Sequence, residues 1–136
     1  MNNSRVRDRE PYMNFVCPYC FNTLDECICE CHLPHYLIWI DSGIQEHIRT
    51  LNQKGYRTKE SCESHNKHMN MYISFVYDYG FGDTLPMPNG FRLKRDNTIS
   101  LTYNKNMTDD EFEVQKQQHL YSLLEWCKSL PKFNDN

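Results

Sequence analysis

Five of the seven cysteines fall within fifteen residues, in the runs Cys17-Pro18-Tyr19-Cys20 and Cys27-Ile28-Cys29-Glu30-Cys31-His32. No other feature constrains the chain as much. A CPxC turn places two thiolates on one tight loop, and a second closely spaced pair completes the tetrahedron that Zn²⁺ prefers. The expected ligands are Cys17, Cys20, Cys27 and Cys29. Cys31 and His32 are substitutes for the last position, because a C-x-C-x-C-H run lets the register slide by one pair. Four cysteine ligands leave no position open for water, so this zinc is expected to build structure rather than to catalyse. The metal would supply folding energy that so short a loop cannot draw from apolar burial.

Disulfides are the competing reading, and an iron–sulfur centre is a third. The first ten residues, Met1 to Glu10, contain no apolar stretch of the signal-peptide kind, which points to a reducing, cytoplasmic compartment. The number of cysteines is odd, and Cys27, Cys29 and Cys31 are too close in sequence to bridge one another comfortably.

A chain of 136 residues suits one domain with a modest core beside the knuckle. The expected division is a disordered arm over 1–11, a zinc knuckle over 12–34 and an α+β domain over 35–136. The longest apolar run, Tyr36 to Ile40, is far short of the ~20 residues that span a membrane, so no membrane contact is expected. A net charge of −3 argues against bulk duplex binding, which needs an excess of Lys and Arg. Aromatics make up 13% of the chain, and some are expected on a contact surface.

Periodicity supplies the elements. Ile44, Ile48 and Leu51 recur at helical spacing, so a helix is expected over 42–54, capped by Asp41 or Ser42 and closed by Gly55, with Lys54 in its last turn. Strands are expected over 56–62 and 71–77, and a loop rich in Gly and Pro over 78–90 whose length makes it a functional suspect. Segments 91–95 and 98–103 alternate around Asp96-Asn97, which suits a type I′ hairpin. Thr108-Asp109-Asp110-Glu111 is a capping box opening a helix to about residue 130, with the stripe Phe112, Leu120, Leu123, Leu124, Cys127 and Leu130.

Two amphipathic helices need one apolar sheet surface, so the expected fold is α+β: a mostly antiparallel sheet of about four strands with both helices on one face. Parity would turn Ile73, Phe75, Phe91, Leu93, Ile99 and Leu101 toward the helices. It would turn Tyr72, Ser74, Arg92, Lys94, Ser100 and Thr102 away, joined by Arg57, Lys59 and Ser61. An open face carrying Arg57, Lys59, Arg92 and Lys94 among hydroxyls is a candidate anion platform.

Beside it, the turn Ser61-Cys62-Glu63-Ser64-His65 with His68 gathers a hydroxyl, a thiol and two imidazoles. The spacing fits a ligand-binding loop at Ser61, Cys62, His65 and His68, a Cys-His nucleophile pair, a second metal site, or simply a packed thiol beside a solvated loop.

The run Leu51 to His65, with Tyr72-Ile73-Ser74-Phe75 and Gly90-Phe91, resembles a group of small uncharacterised proteins of Firmicutes and their phages. Their pattern is LNxKGYxTxxSCxGH…YIxF…LPxGF behind a CPxC…CxC knuckle, and the resemblance covers about residues 17–101. A narrower similarity, limited to Ser61-Cys62 and the preceding strand, is to the SCSGR signature of the wybutosine-synthesising tRNA methyltransferases; here Ser64 replaces its glycine and His65 its arginine.

The leading expectation is a non-enzymatic zinc-knuckle binding protein whose ligand is a nucleotide-like anion or a host defence protein. A phage origin would imply an anti-defence role in the host cytoplasm. The alternatives are a zinc-ribbon nucleic-acid adaptor using Arg5, Arg7 and Arg9, and a Cys/His enzyme using Cys62 and His65; no dinucleotide, P-loop or HExxH motif supports the last.

Overall fold

The computed structural model describes residues 13–16 and 38–133. The expected zinc ligands Cys17, Cys20, Cys27 and Cys29, their substitutes Cys31 and His32, and the arm over 1–11 lie outside the described residues. Strand β1 (Met13–Val16) pairs antiparallel with β2 (Ile38–Asp41), Met13 opposite Asp41 and Val16 opposite Ile38. This two-stranded ribbon was not expected from the sequence, because an apolar run as short as Ile38-Trp39-Ile40 carries no diagnostic period.

A 3₁₀ turn (Ser42–Ile44) leads into helix α1 (Gln45–Gln53), so the expected single helix begins as a tighter coil. Asp41 makes no side-chain cap bond there. Its carboxylate accepts instead from the Glu63 backbone N–H at 2.9 Å. Gly55 ends the helix at φ +100°, a left-handed conformation that glycine adopts without a Cβ clash, and the Tyr56 N–H returns to the Leu51 carbonyl. Lys54 turns away from its own helix: its ammonium donates to the carbonyls of Cys127, Lys128 and Leu130, satisfying the end of the second helix.

The main sheet is antiparallel in the order β3-β4-β6-β5, from β3 (Thr58–Cys62), β4 (Met71–Phe75), β5 (Arg92–Lys94) and β6 (Thr98–Leu101). Asp96 and Asn97 sit at φ +60° and +57°, the pair of left-handed residues a type I′ turn requires. Helix α2 (Asp109–Ser129) opens on the expected capping box, with Thr108 Oγ1 accepting from the Glu111 N–H and Glu111 Oε1 accepting from the Thr108 N–H. Ile48, Leu51, Phe112, Leu120, Leu123 and Cys127 from the helices and Ile73, Phe75, Ile99 and Leu101 from the strands form one buried cluster, which makes this the expected α+β arrangement.

Segment 78–90 is the expected loop, and two of its aromatics tie it to that core. Tyr79 and Phe81 are buried among Tyr56, Phe75 and Trp126, and the Trp126 indole donates to the Pro86 carbonyl at 2.9 Å. Many of the aromatics are therefore structural. Tyr77 and Tyr121 are among the large side chains left exposed.

The expected facing of β3 is corrected by a bulge. Thr58 pairs with Phe75 and Glu60 with Ser74, so Lys59 is an extra residue that reverses the alternation. Ser61 consequently pairs with Ile73 and turns inward, while Glu60 and Cys62 take the face of Tyr72 and Ser74. Arg57 precedes the strand and lines a separate hollow with Tyr77, Asp78 and Phe133, not the open platform. Leu93, expected to be covered, lies opposite Ile99 but is exposed, because β5 is an edge strand.

Candidate metal centre

The bulge brings Cys62 to the end of β3 beside Asp41, the last residue of β2, and the turn that follows returns His65 to both. One side-chain donor atom from each of Asp41, Cys62 and His65 lies within 4.8 Å of the other two, with Asp41 and Cys62 buried and His65 half-buried. His65 Nε2 is 3.1 Å from Asp41 Oδ2. Tetrahedral zinc with such ligands separates its donor atoms by roughly 3.3–3.8 Å, so small side-chain movements would close the set around an ion.

The turn is held from several sides. Ser64 adopts φ +71°, a conformation easier for glycine, and is fully buried, with its hydroxyl in reach of the Asn66 and Met69 carbonyls at 2.9 and 2.8 Å. Glu63 reaches the other way: its carboxylate accepts from the Gly43 N–H at 2.8 Å and pairs with Lys116 of α2 at 2.8 Å. A Cβ on Gly43 would lie 2.6 Å from Glu63 Oε1, so the close approach depends on glycine there. Three elements thereby fix the residue between Cys62 and Ser64.

Burial pushes the Cys62 thiol up from its ordinary value, and the Asp41 and Glu63 carboxylates add to the effect; the Ser64 N–H, 3.4 Å from the sulfur, works against it. A thiol so placed stays protonated at neutral pH and is a poor nucleophile. A bound cation reverses that balance by stabilising the thiolate directly. A thiolate, an imidazole and a carboxylate together favour zinc or a similar borderline ion over Mg²⁺ or Ca²⁺.

Of the residues expected to act together, Cys62 and His65 meet; Asp41, one of the two expected helix caps, completes the group. His68 is exposed, and its backbone N–H is bonded to Asn66 Oδ1. Ser61 turns inward and Lys59 is exposed at the bulge. Arg92 and Lys94 do occupy the open face. Register aligns Cys62, Tyr72, Ser100 and Arg92 in one row across the four strands, and Glu60, Ser74, Thr98 and Lys94 in the next. At ~4.8 Å per strand a row spans about 14 Å. Ser74 and Thr98 share a hydroxyl hydrogen bond of 2.7 Å, and the Tyr72 hydroxyl donates to Glu60 Oε1 at 3.4 Å. Burial raises the Tyr72 phenol, with Glu60, Cys62 and Asp41 contributing charge.

Among the described residues, no helix is long and apolar enough to cross a membrane. Comparison of the chain with protein-family models, with curated proteins and with solved structures gives no match.

Proposed function

We propose that this protein binds a phosphate-bearing, nucleotide-like anion on the open face of its sheet, with zinc held by Asp41, Cys62 and His65 at one end. The observation that carries the reading is the convergence of those three ligand atoms within 4.8 Å. Three protein ligands leave a fourth zinc position, and a phosphate oxygen can fill it. The row that leads away from Cys62 passes Tyr72 and Ser100 and ends at Arg92, with Lys94 in the adjoining row, so a ligand about 14 Å long meets metal at one end and positive charge at the other. Binding without turnover is favoured over a Cys62 nucleophile because the sulfur is a buried, protonated thiol without metal and is committed to the ion as a ligand with it. The expected knuckle zinc at Cys17, Cys20, Cys27 and Cys29 would be separate from this one.

Two measurements test the proposal. Metal analysis should show one zinc lost from Cys62→Ser or His65→Ala and a different one lost from Cys17→Ser. Titration calorimetry with AMP should show binding that weakens in Arg92→Ala, weakens as salt rises, and disappears when the Asp41–Cys62–His65 zinc is removed. Unchanged zinc content in both Cys62→Ser and His65→Ala rejects the metal centre, and AMP affinity indifferent to Arg92→Ala rejects the platform.

A further inference from the structure

A second cleft, independent of the metal centre, is built where the end of β6 meets the first half of α2. It encloses about 560 Å³, and its lining includes Thr102, Tyr103, Asn104, Asn106, Gln115 and His119. Two of its walls carry polar atoms that are shielded from water and have no hydrogen-bond partner among the described residues: the Tyr103 hydroxyl and His119 Nδ1. Tyr103 is 4% exposed, and its ring packs edge-on against Phe112 at 4.9 Å and against His119 at 5.5 Å. A buried donor or acceptor with no partner is destabilising, and in a cleft wall the missing bond can be supplied by a water or by a ligand that displaces it.

The chemistry of the occupant follows from what lines the space. The named rim side chains are amides and a hydroxyl, and the lining contains no Lys or Arg. Glu111, also in the lining, has a carboxylate oxygen engaged by the Thr108 N–H. No lining side chain is placed to neutralise a phosphate or carboxylate, and the nearby Lys67 ammonium is engaged by the Met107 carbonyl at 2.6 Å. Burial pushes the Tyr103 phenol up and the His119 imidazole down, so both are neutral near pH 7 and together offer donor and acceptor capacity.

We infer that the Tyr103–His119 cleft binds an uncharged planar group with an adjacent donor and acceptor, such as the lactam edge of a uracil-type base or the carboxamide of nicotinamide. The orphaned hydroxyl and Nδ1 bond its polar edge, and the Asn104, Asn106 and Gln115 amides close around it. These three rim residues are exposed, and exposed side chains exchange rotamers in picoseconds to nanoseconds, fast enough to admit a ligand to the atoms beneath.

The test is an amide-resolved NMR titration of the whole protein with uridine, 3-methyluridine and nicotinamide. Shifts confined to Thr102–Asn106 and Gln115–His119 are expected with uridine or nicotinamide, and whichever of the two binds identifies the source of the edge. 3-Methyluridine, whose donor is blocked, should bind at least several-fold more weakly than uridine. Tyr103→Phe removes only the hydroxyl. It should keep or raise the melting temperature of the free protein while weakening the bound probe roughly 3- to 10-fold, the worth of one neutral hydrogen bond. His119→Leu should do the same. If neither uridine nor nicotinamide shifts these residues at millimolar concentration, or if Tyr103→Phe binds the probe as tightly as wild type, the inference is wrong.

Discussion

Gly43 shows how much one missing atom can decide. Its N–H and the Lys116 ammonium hold the two oxygens of Glu63, and that carboxylate anchors the turn carrying Cys62 and His65. Lys116 and Glu63 are both nearly covered, so the pair cannot be repaired by water as a surface pair could. Gly43→Ala places a methyl group 2.6 Å from Glu63 Oε1, so the carboxylate must shift and strain these bonds. We expect it to cost about 1–3 kcal/mol in urea denaturation and to weaken zinc uptake at Asp41–Cys62–His65. A Gly43→Ala protein with wild-type stability would mean that Glu63 is free to move aside. The sequence offered no hint of this, since Gly43, Glu63 and Lys116 are far apart in the chain and no spacing links them.

Several elements rest on contacts between neighbours in the chain and are legible there. Thr108 and Glu111 satisfy one another's backbone donors whatever surrounds them, so the start of α2 follows from four consecutive residues. Thr108→Ala should remove about 1 kcal/mol of stability, measurable in the midpoint of chemical denaturation with no change in its slope. The β5–β6 turn is similar: Asp96 and Asn97 both adopt left-handed backbone. Asn97→Gly should leave stability within about 0.5 kcal/mol or raise it, whereas Asn97→Val should cost about 1–2 kcal/mol, because a β-branched residue resists positive φ. Equal stability of the two variants would contradict the turn type. The β3 bulge was not legible in this way. Tyr56 to Cys62 reads as simple alternation, and only pairing with β4 shows that Lys59 is the extra residue.

At the scale of the whole molecule, the helices are locked together by a polar contact inside the core. His47 of α1 is 5% exposed, and its Nε2 donates to the Leu120 carbonyl of α2 at 2.7 Å. Burial lowers its pKa, and burial also lowers that of His119. The unfolded chain therefore takes up protons first as pH falls, starting near pH ~6.5, and the folded state loses relative stability through the window down to the depressed folded values. His47→Gln keeps a donor for Leu120 but does not titrate. Urea midpoints measured from about pH 7 to 5 should fall less steeply for this variant than for wild type. Identical pH profiles would show that His47 is not held neutral in the fold.

Features set by neighbours along the chain are legible before folding: the apolar period of α1, the capping box and stripe of α2, the Asp96-Asn97 hairpin and hence the α+β class. The sequence also marked Cys62 and His65 as chemically able, because a thiol and an imidazole flank the two residues Glu63 and Ser64. The company they keep follows from packing between distant segments. A one-residue bulge set the facing of β3, a short ribbon brought Asp41 to its end, and an ion pair to α2 fixed the turn. Register then chose Arg92 and Lys94, and not Arg57, for the face that Cys62 shares. These outcomes depend on contacts between residues distant in sequence, where local propensity and period carry no information.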